Sequence, residues 1–186
     1  GGNGWWWHPA SNAWLCNSLW QHYEYTQDRR HLARIHPLLK GACEFWEARL
    51  LPTTIVDPVT GQRRDVWIDD ADWSPEQGPE NAKGITYAQE LAWDLFGHFQ
   101  QSSDLLGIDA DAAARFTALR EKLYLPQVSD TTGWLEEWMS PDNLGDVTHR
   151  HLSPLIGFFP GDRIRTEDAS PELLQGVTRL LTARGM

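Results

Sequence analysis

The eleven residues Asp69-Asp70-Ala71-Asp72-Trp73-Ser74-Pro75-Glu76-Gln77-Gly78-Pro79 interrupt an otherwise helical chain. Pro75 and Pro79 each remove a backbone donor and fix φ, so no helix runs through them, and no ordinary two-faced strand reads this way. An irregular loop remains, with four carboxylates beside an indole. Burial against an indole raises a carboxyl pKa toward working pH, which suits general acid catalysis. The same pairing suits a sugar site, where an aromatic face stacks on C–H groups and carboxylates bind hydroxyls.

Helical periodicity flanks this loop on both sides. Ala13, Trp14, Cys16, Leu19, Trp20 and Tyr23 recur at the 3.6-residue period and predict a helix over 10–26, closed by Asp28-Arg29-Arg30. Leu32 to Leu51 predicts a second, kinked or restarted at Pro37 and stopped by Pro52. Thr53 to Gly84 reads as a long loop, with Ile55-Val56 and Val66-Trp67-Ile68 as the arms of a short hairpin around Asp57-Pro58-Val59-Thr60-Gly61. A loop of about thirty residues in a compact domain is usually functional. Thr86 and Gln89 form a capping-box pattern opening a helix that Gly107 ends. Further helices are predicted over 109–123 and 151–159, and over 170–183 with Ser170 as cap and Pro171 in the first helical position.

The fold class is therefore all-α. The helices come in pairs with long loops after alternate ones, a pattern that suits a toroid of inner and outer rings. About six helices would make roughly half of such a barrel, though no fixed-period repeat is found.

Composition narrows the partners. A net charge of −10 and a pI near 5.0 argue against nucleic acid and anionic membranes, and fit a neutral glycan. No apolar run is long enough to span a bilayer. Eleven Trp are bunched rather than scattered: Trp5-Trp6-Trp7, Trp67 and Trp73, Trp134 and Trp138. On a helix the triplet would point in three directions about 100° apart, so it cannot serve one core face. Cys16 and Cys43 sit on apolar helix faces, where a buried free thiol is the default.

Four clusters can carry chemistry. Glu76 follows Pro75 on a stiff turn, with Trp73 as an apolar wall favouring its protonated form; the competing reading is a solvated loop Glu. Asp69, Asp70 and Asp72 lack calcium-loop spacing and read as hydroxyl ligands or loop caps. Thr148-His149-Arg150-His151 lines an anionic or hydroxyl-rich pocket or a solvated basic turn, and without a third His or a Cys nearby it is a poor zinc site. Trp6-Trp7-His8-Pro9 reads as a stacking lip at the mouth of the first helix, or as a surface that loses an upstream packing partner. No metal or other cofactor is expected. Nucleophile-elbow, P-loop, dinucleotide and zincin motifs are absent.

In these residues the chain resembles glycoside hydrolase family 95. Trp5-Trp6-Trp7-His8-Pro9 leading into Ala13-Trp14-Leu15-Cys16, Leu19-Trp20-Gln21-His22-Tyr23-Glu24-Tyr25-Thr26, Pro37 to Ala42, Trp73-Ser74-Pro75-Glu76-Gln77-Gly78-Pro79, Thr86-Tyr87 with Asp94-Leu95-Phe96, Leu135-Glu136-Glu137-Trp138, His149-Arg150-His151-Leu152-Ser153 and Phe159-Pro160-Gly161 carry the likeness in order along nearly the whole chain. The resemblance implies an (α/α)₆ barrel and an inverting α-L-fucosidase or α-L-galactosidase. It implies Glu76 as general acid, Arg150 and His151 as sugar contacts, and His8 and Trp7 near the pocket; Trp73 is the stacking wall. The family's Asn pair and supporting Asp, which activate water, have no match here. Its usual Ser-His-Leu is Ser153-Pro154-Leu155.

Residues 1–186 are thus expected to form part of a catalytic domain truncated at both ends, inactive alone because the base lies outside it. Expected partners are an oligosaccharide or polysaccharide substrate and the remainder of the parent polypeptide. The first residues lack the basic start and apolar core of a signal peptide, so location is not readable from them. An enzyme of polymeric glycans is expected in the periplasm or secreted. Two other readings stay open: a sugar-binding helical module without catalysis, and another (α/α)₆ carbohydrate enzyme such as a disaccharide phosphorylase.

Overall fold

A computed structural model of the chain describes residues 8–57, 60–139, 145–146 and 148–185. Among them are five α-helices: α1 (Ser11–Thr26), α2 (Arg29–Arg49), α3 (Thr86–Leu106), α4 (Ala110–Arg120) and α5 (Pro171–Ala183). One antiparallel hairpin, β1 (Leu51–Val56) with β2 (Arg63–Ile68), accompanies them. The all-α expectation holds, as does the hairpin within the long loop. No helix among the described residues is long and apolar enough to cross a membrane.

The chain divides into two compact units that interleave along the sequence. One comprises residues 10–68 and 91–124, the other 1–9, 69–90 and 125–186. In the first, α1 and α2 pack together across a two-residue connection. Asp28 does not close α1 but caps α2, accepting from the Arg30 N–H at 2.8 Å. Pro37 neither stops nor restarts α2, which continues through it. The Ala33 carbonyl that Pro37 deprives of a donor is on an exposed residue, which lowers the cost of the missing bond. The core is aromatic: Trp20, Trp46, Phe96, Phe99 and Phe116 are essentially inaccessible. Trp46 satisfies its N–H on Asn12 Oδ1 at 3.0 Å. Cys16 and Cys43 are buried free thiols.

The second unit holds a smaller core of Leu135, Leu155, Ile164, Val177 and Leu180. The helix expected over 151–159 is only a 3₁₀ turn at Ser153–Leu155 followed by further turns, in which the Phe158 and Phe159 N–H groups share the Leu155 carbonyl. α5 forms as expected, with Ser170 accepting from the Leu173 N–H and Pro171 at the first position. At the start of α3 the expected capping-box side chains serve the loops instead. Thr86 Oγ1 donates to the Glu136 carbonyl, and Gln89 Oε1 accepts the Asp69 N–H at 2.7 Å.

Candidate active site

All the geometry below lies within the second unit. The acidic loop turns tightly at its centre. Glu76 has φ +60° and Gly78 φ +75°. For Gly78 this conformation is cheap; for Glu76 it costs free energy that the surroundings must offset, a common mark of a functional residue. The loop is braced from several sides. Trp73 Nε1–H donates to the Gly78 carbonyl at 3.1 Å, and the Gln77 N–H to the Ser74 carbonyl at 3.2 Å. The Trp138 ring lies so close over Gly78 that a Cβ there would meet it at 2.6 Å.

A second loop, Asp146 and 148–152, meets this turn. The Asp146 N–H donates to Gln77 Oε1 at 2.7 Å. His151 Nε2 lies 3.0 Å from Glu76 Oε2, and Arg150 Nη2 pairs with the same oxygen. Arg150 keeps 71% of its side chain in solvent while Glu76 keeps 23%, so the acid is recessed behind an exposed cation. His149 and His151 stack obliquely, with ring centroids 5.1 Å apart.

The charge on Glu76 corrects one expectation. Burial pushes its carboxyl up, but the His151 hydrogen bond and the Arg150 charge pull harder, and the pKa falls below the usual value. With this pairing Glu76 is held ionised, rather than protonated against Trp73. The Trp73 indole N–H serves as a brace of the turn.

Of the residues singled out in the sequence, Glu76, Arg150 and His151 come together, and Trp73 sits in the same loop. His8 is exposed and outside this hydrogen-bonded group; Trp7 lies outside the described residues. Asp69 and Asp72 are buried, so they belong to the loop's interior rather than its open face. Asp72 Oδ1 accepts the Trp73 N–H at 2.7 Å, while Asp70 stands 3.9 Å from Lys83. Among the described residues no group of His, Cys, Asp and Glu is arranged to hold a metal.

Sequence reasoning missed the polar interior behind these loops. Glu137 is buried between Ser74, Ser153 and Arg184, and Glu90 is buried in a two-pronged pair with Arg163. The available signal was a carboxylate inside the aromatic stretch Trp134 to Met139.

A family model described as the glycosyl hydrolase family 95 catalytic domain matches residues 1–186. The chain is 30% identical to a protein named probable alpha-fucosidase A from Aspergillus niger, over 96% of this chain and 22% of that one. It is likewise 30% identical to alpha-L-fucosidase 2 of Arabidopsis thaliana, over 95% of this chain and 21% of that one. The chain therefore spans about a fifth of the length of these curated relatives.

Proposed function

We propose, for a chain that belongs to the glycosyl hydrolase family 95 catalytic domains, that the protein carrying it removes terminal α-L-fucosyl or α-L-galactosyl residues from glycans with inversion, and that Glu76 is the proton donor. The observation that carries this reading is the convergence of Arg150 and His151 on one oxygen of a recessed, backbone-strained Glu76. The alpha-fucosidase names of the relatives support the sugar class.

A general acid must be protonated when the glycosidic bond breaks. Sugar hydroxyls entering beside Glu76 take over the Arg150 and His151 donors. Freed of both partners in a recessed site, the carboxyl moves up in pKa and delivers its proton to the departing oxygen. Trp73 and His8 are read as further sugar contacts, and Trp7, outside the described residues, joins them on the family likeness alone. A water on the opposite face of the sugar is activated by a base supplied from outside residues 1–186, at a carboxylate-to-base separation of about 6.5–9.5 Å.

The test is Glu76→Gln in the full-length protein. With an α-L-fucoside whose leaving group is poor, the rate is expected to fall about 10²–10⁴-fold, and much less with an activated aryl leaving group that needs no proton. A near-normal rate on both removes Glu76 from the acid role. The ionised state of Glu76 favours one second reading, a carboxylate that only binds sugar hydroxyls. In that case Glu76→Gln weakens binding equally for both leaving groups.

A further inference from the structure

Glu137 is a carboxylate for which the proposed chemistry has no use, yet three groups are built around it. Its side chain is 3% exposed and lies in no helix or strand. Oε1 accepts from the hydroxyls of both Ser74 and Ser153, and Oε2 faces Arg184 Nη2 at 3.2 Å. Arg184, only 1% exposed, reaches on through Nη1 to the His149 carbonyl at 3.1 Å and the His151 carbonyl at 2.7 Å.

A buried ion pair gives little net stability, because desolvation offsets most of its attraction. It does fix geometry. One end of this network holds Ser74, two residues before Glu76. The other holds the peptide planes just before Arg150 and just after His151. Capturing both carbonyls with one nitrogen aims the two intervening side chains together. Neither Glu137 nor Arg184 bonds Glu76; each acts through Ser74 or through those carbonyls.

We propose that Glu137 and Arg184 are positioning residues that hold the two loops in register, so that Arg150 and His151 meet Glu76. The inference rests on the reading of Glu76 as proton donor and names what sets its surroundings.

A double-mutant cycle in the full-length protein tests it, with Glu137→Gln, His151→Ala and the pair assayed on an α-L-fucoside alongside Glu76→Gln. Glu137→Gln alone is expected to lower kcat by about tenfold or more with little change in KM, and to move the basic limb of the pH–rate profile. In the His151→Ala background the same substitution is expected to cost less than about threefold, because the side chain it aims is gone. An equal loss in both backgrounds, or no loss in either, overturns the positioning role. If Glu137→Gln does not accumulate folded, Ser153→Ala removes one donor to the same carboxylate and takes its place in the cycle with the same criteria. A normal rate for Glu76→Gln is a separate failure, that of the acid assignment.

Discussion

His151 Nε2 and Glu76 Oε2 stand 3.0 Å apart, a contact that ties the charge of the recessed acid to that of an imidazole. With Arg150 on the same oxygen, the carboxyl is held below its usual pKa despite burial. If Glu76 must be protonated to act, activity falls as pH rises through its pKa. Removing a cation raises that pKa. Arg150→Ala is therefore expected to shift the basic limb of the kcat/KM profile of the full-length protein to higher pH, while loss of the proposed sugar contact lowers its plateau. An unshifted limb would show that Arg150 does not govern the group titrating there.

Gly78→Ala probes the turn itself. The added Cβ meets Trp138 at 2.6 Å, and φ +75° suits Gly far better than Ala. The variant is expected to lose about 1–3 kcal/mol of stability. Because the residue is two from Glu76, kcat should fall more than KM rises. Steady-state kinetics beside urea unfolding separate the two effects.

Gly157 makes a sharper packing prediction. A Cβ there would come within 2.5 Å of the Glu90 carboxyl carbon, whose oxygens are committed to Arg163. Burial raises the Glu90 pKa and Arg163 opposes that shift. Gly157→Ala must displace a buried ion pair and is expected to cost more than Gly78→Ala. Arg163→Met, which leaves the carboxylate buried without its partner, should cost about 3–5 kcal/mol. Unfolding midpoints of the two variants check the ranking.

In the other unit, His98 stacks on Trp20 at 5.0 Å and bonds Asn17 Oδ1 through Nδ1 at 2.9 Å. Asn17 Nδ2 donates to the Leu91 carbonyl, so its oxygen is the acceptor and Nδ1 of His98 carries the hydrogen. Burial, aided by the Arg120 charge, lowers the His98 pKa to about 3. The unfolded chain binds that proton near pH 6.5 and the folded one does not. Stability from this site is thus present above about pH 6.5 and is lost as pH falls toward 3. His98→Gln should flatten the pH dependence of the urea midpoint over that range; an unchanged slope would assign it to other groups.

Local chemistry was readable wherever it acts over a few residues. Ser170-Pro171 opens α5, Gly107 follows α3, and the hairpin arms lie where alternation and turn residues put them. Glu76, Arg150 and His151 stood out through residue type and through likeness to a family. What escaped is decided by partners distant in sequence. Thr86 and Gln89 look like a capping box until Glu136 and Asp69 claim their side chains. The lowered pKa of Glu76 depends on residues 75 positions away, so a neighbouring Trp gave the wrong sign. Glu137 and Arg184 pair across 47 residues, and neither periodicity nor spacing announces such a pair.

The span of that network also bears on synthesis. Ser74 lies 63 residues before Glu137, and Arg184 follows as the residue that caps the C-terminal end of α5. As the chain leaves the ribosome, the acidic loop emerges long before the guanidinium that fixes its neighbour. The helices and hairpin of the earlier segment can form meanwhile, but the strained turn at Glu76 has no complete brace until Arg184 arrives. Contacts over such separations carry a larger chain-closure entropy cost than local helical ones, which slows folding. Within residues 1–186 the register of the two loops is thus completed from Arg184, 108 residues after Glu76, rather than from the acidic loop itself.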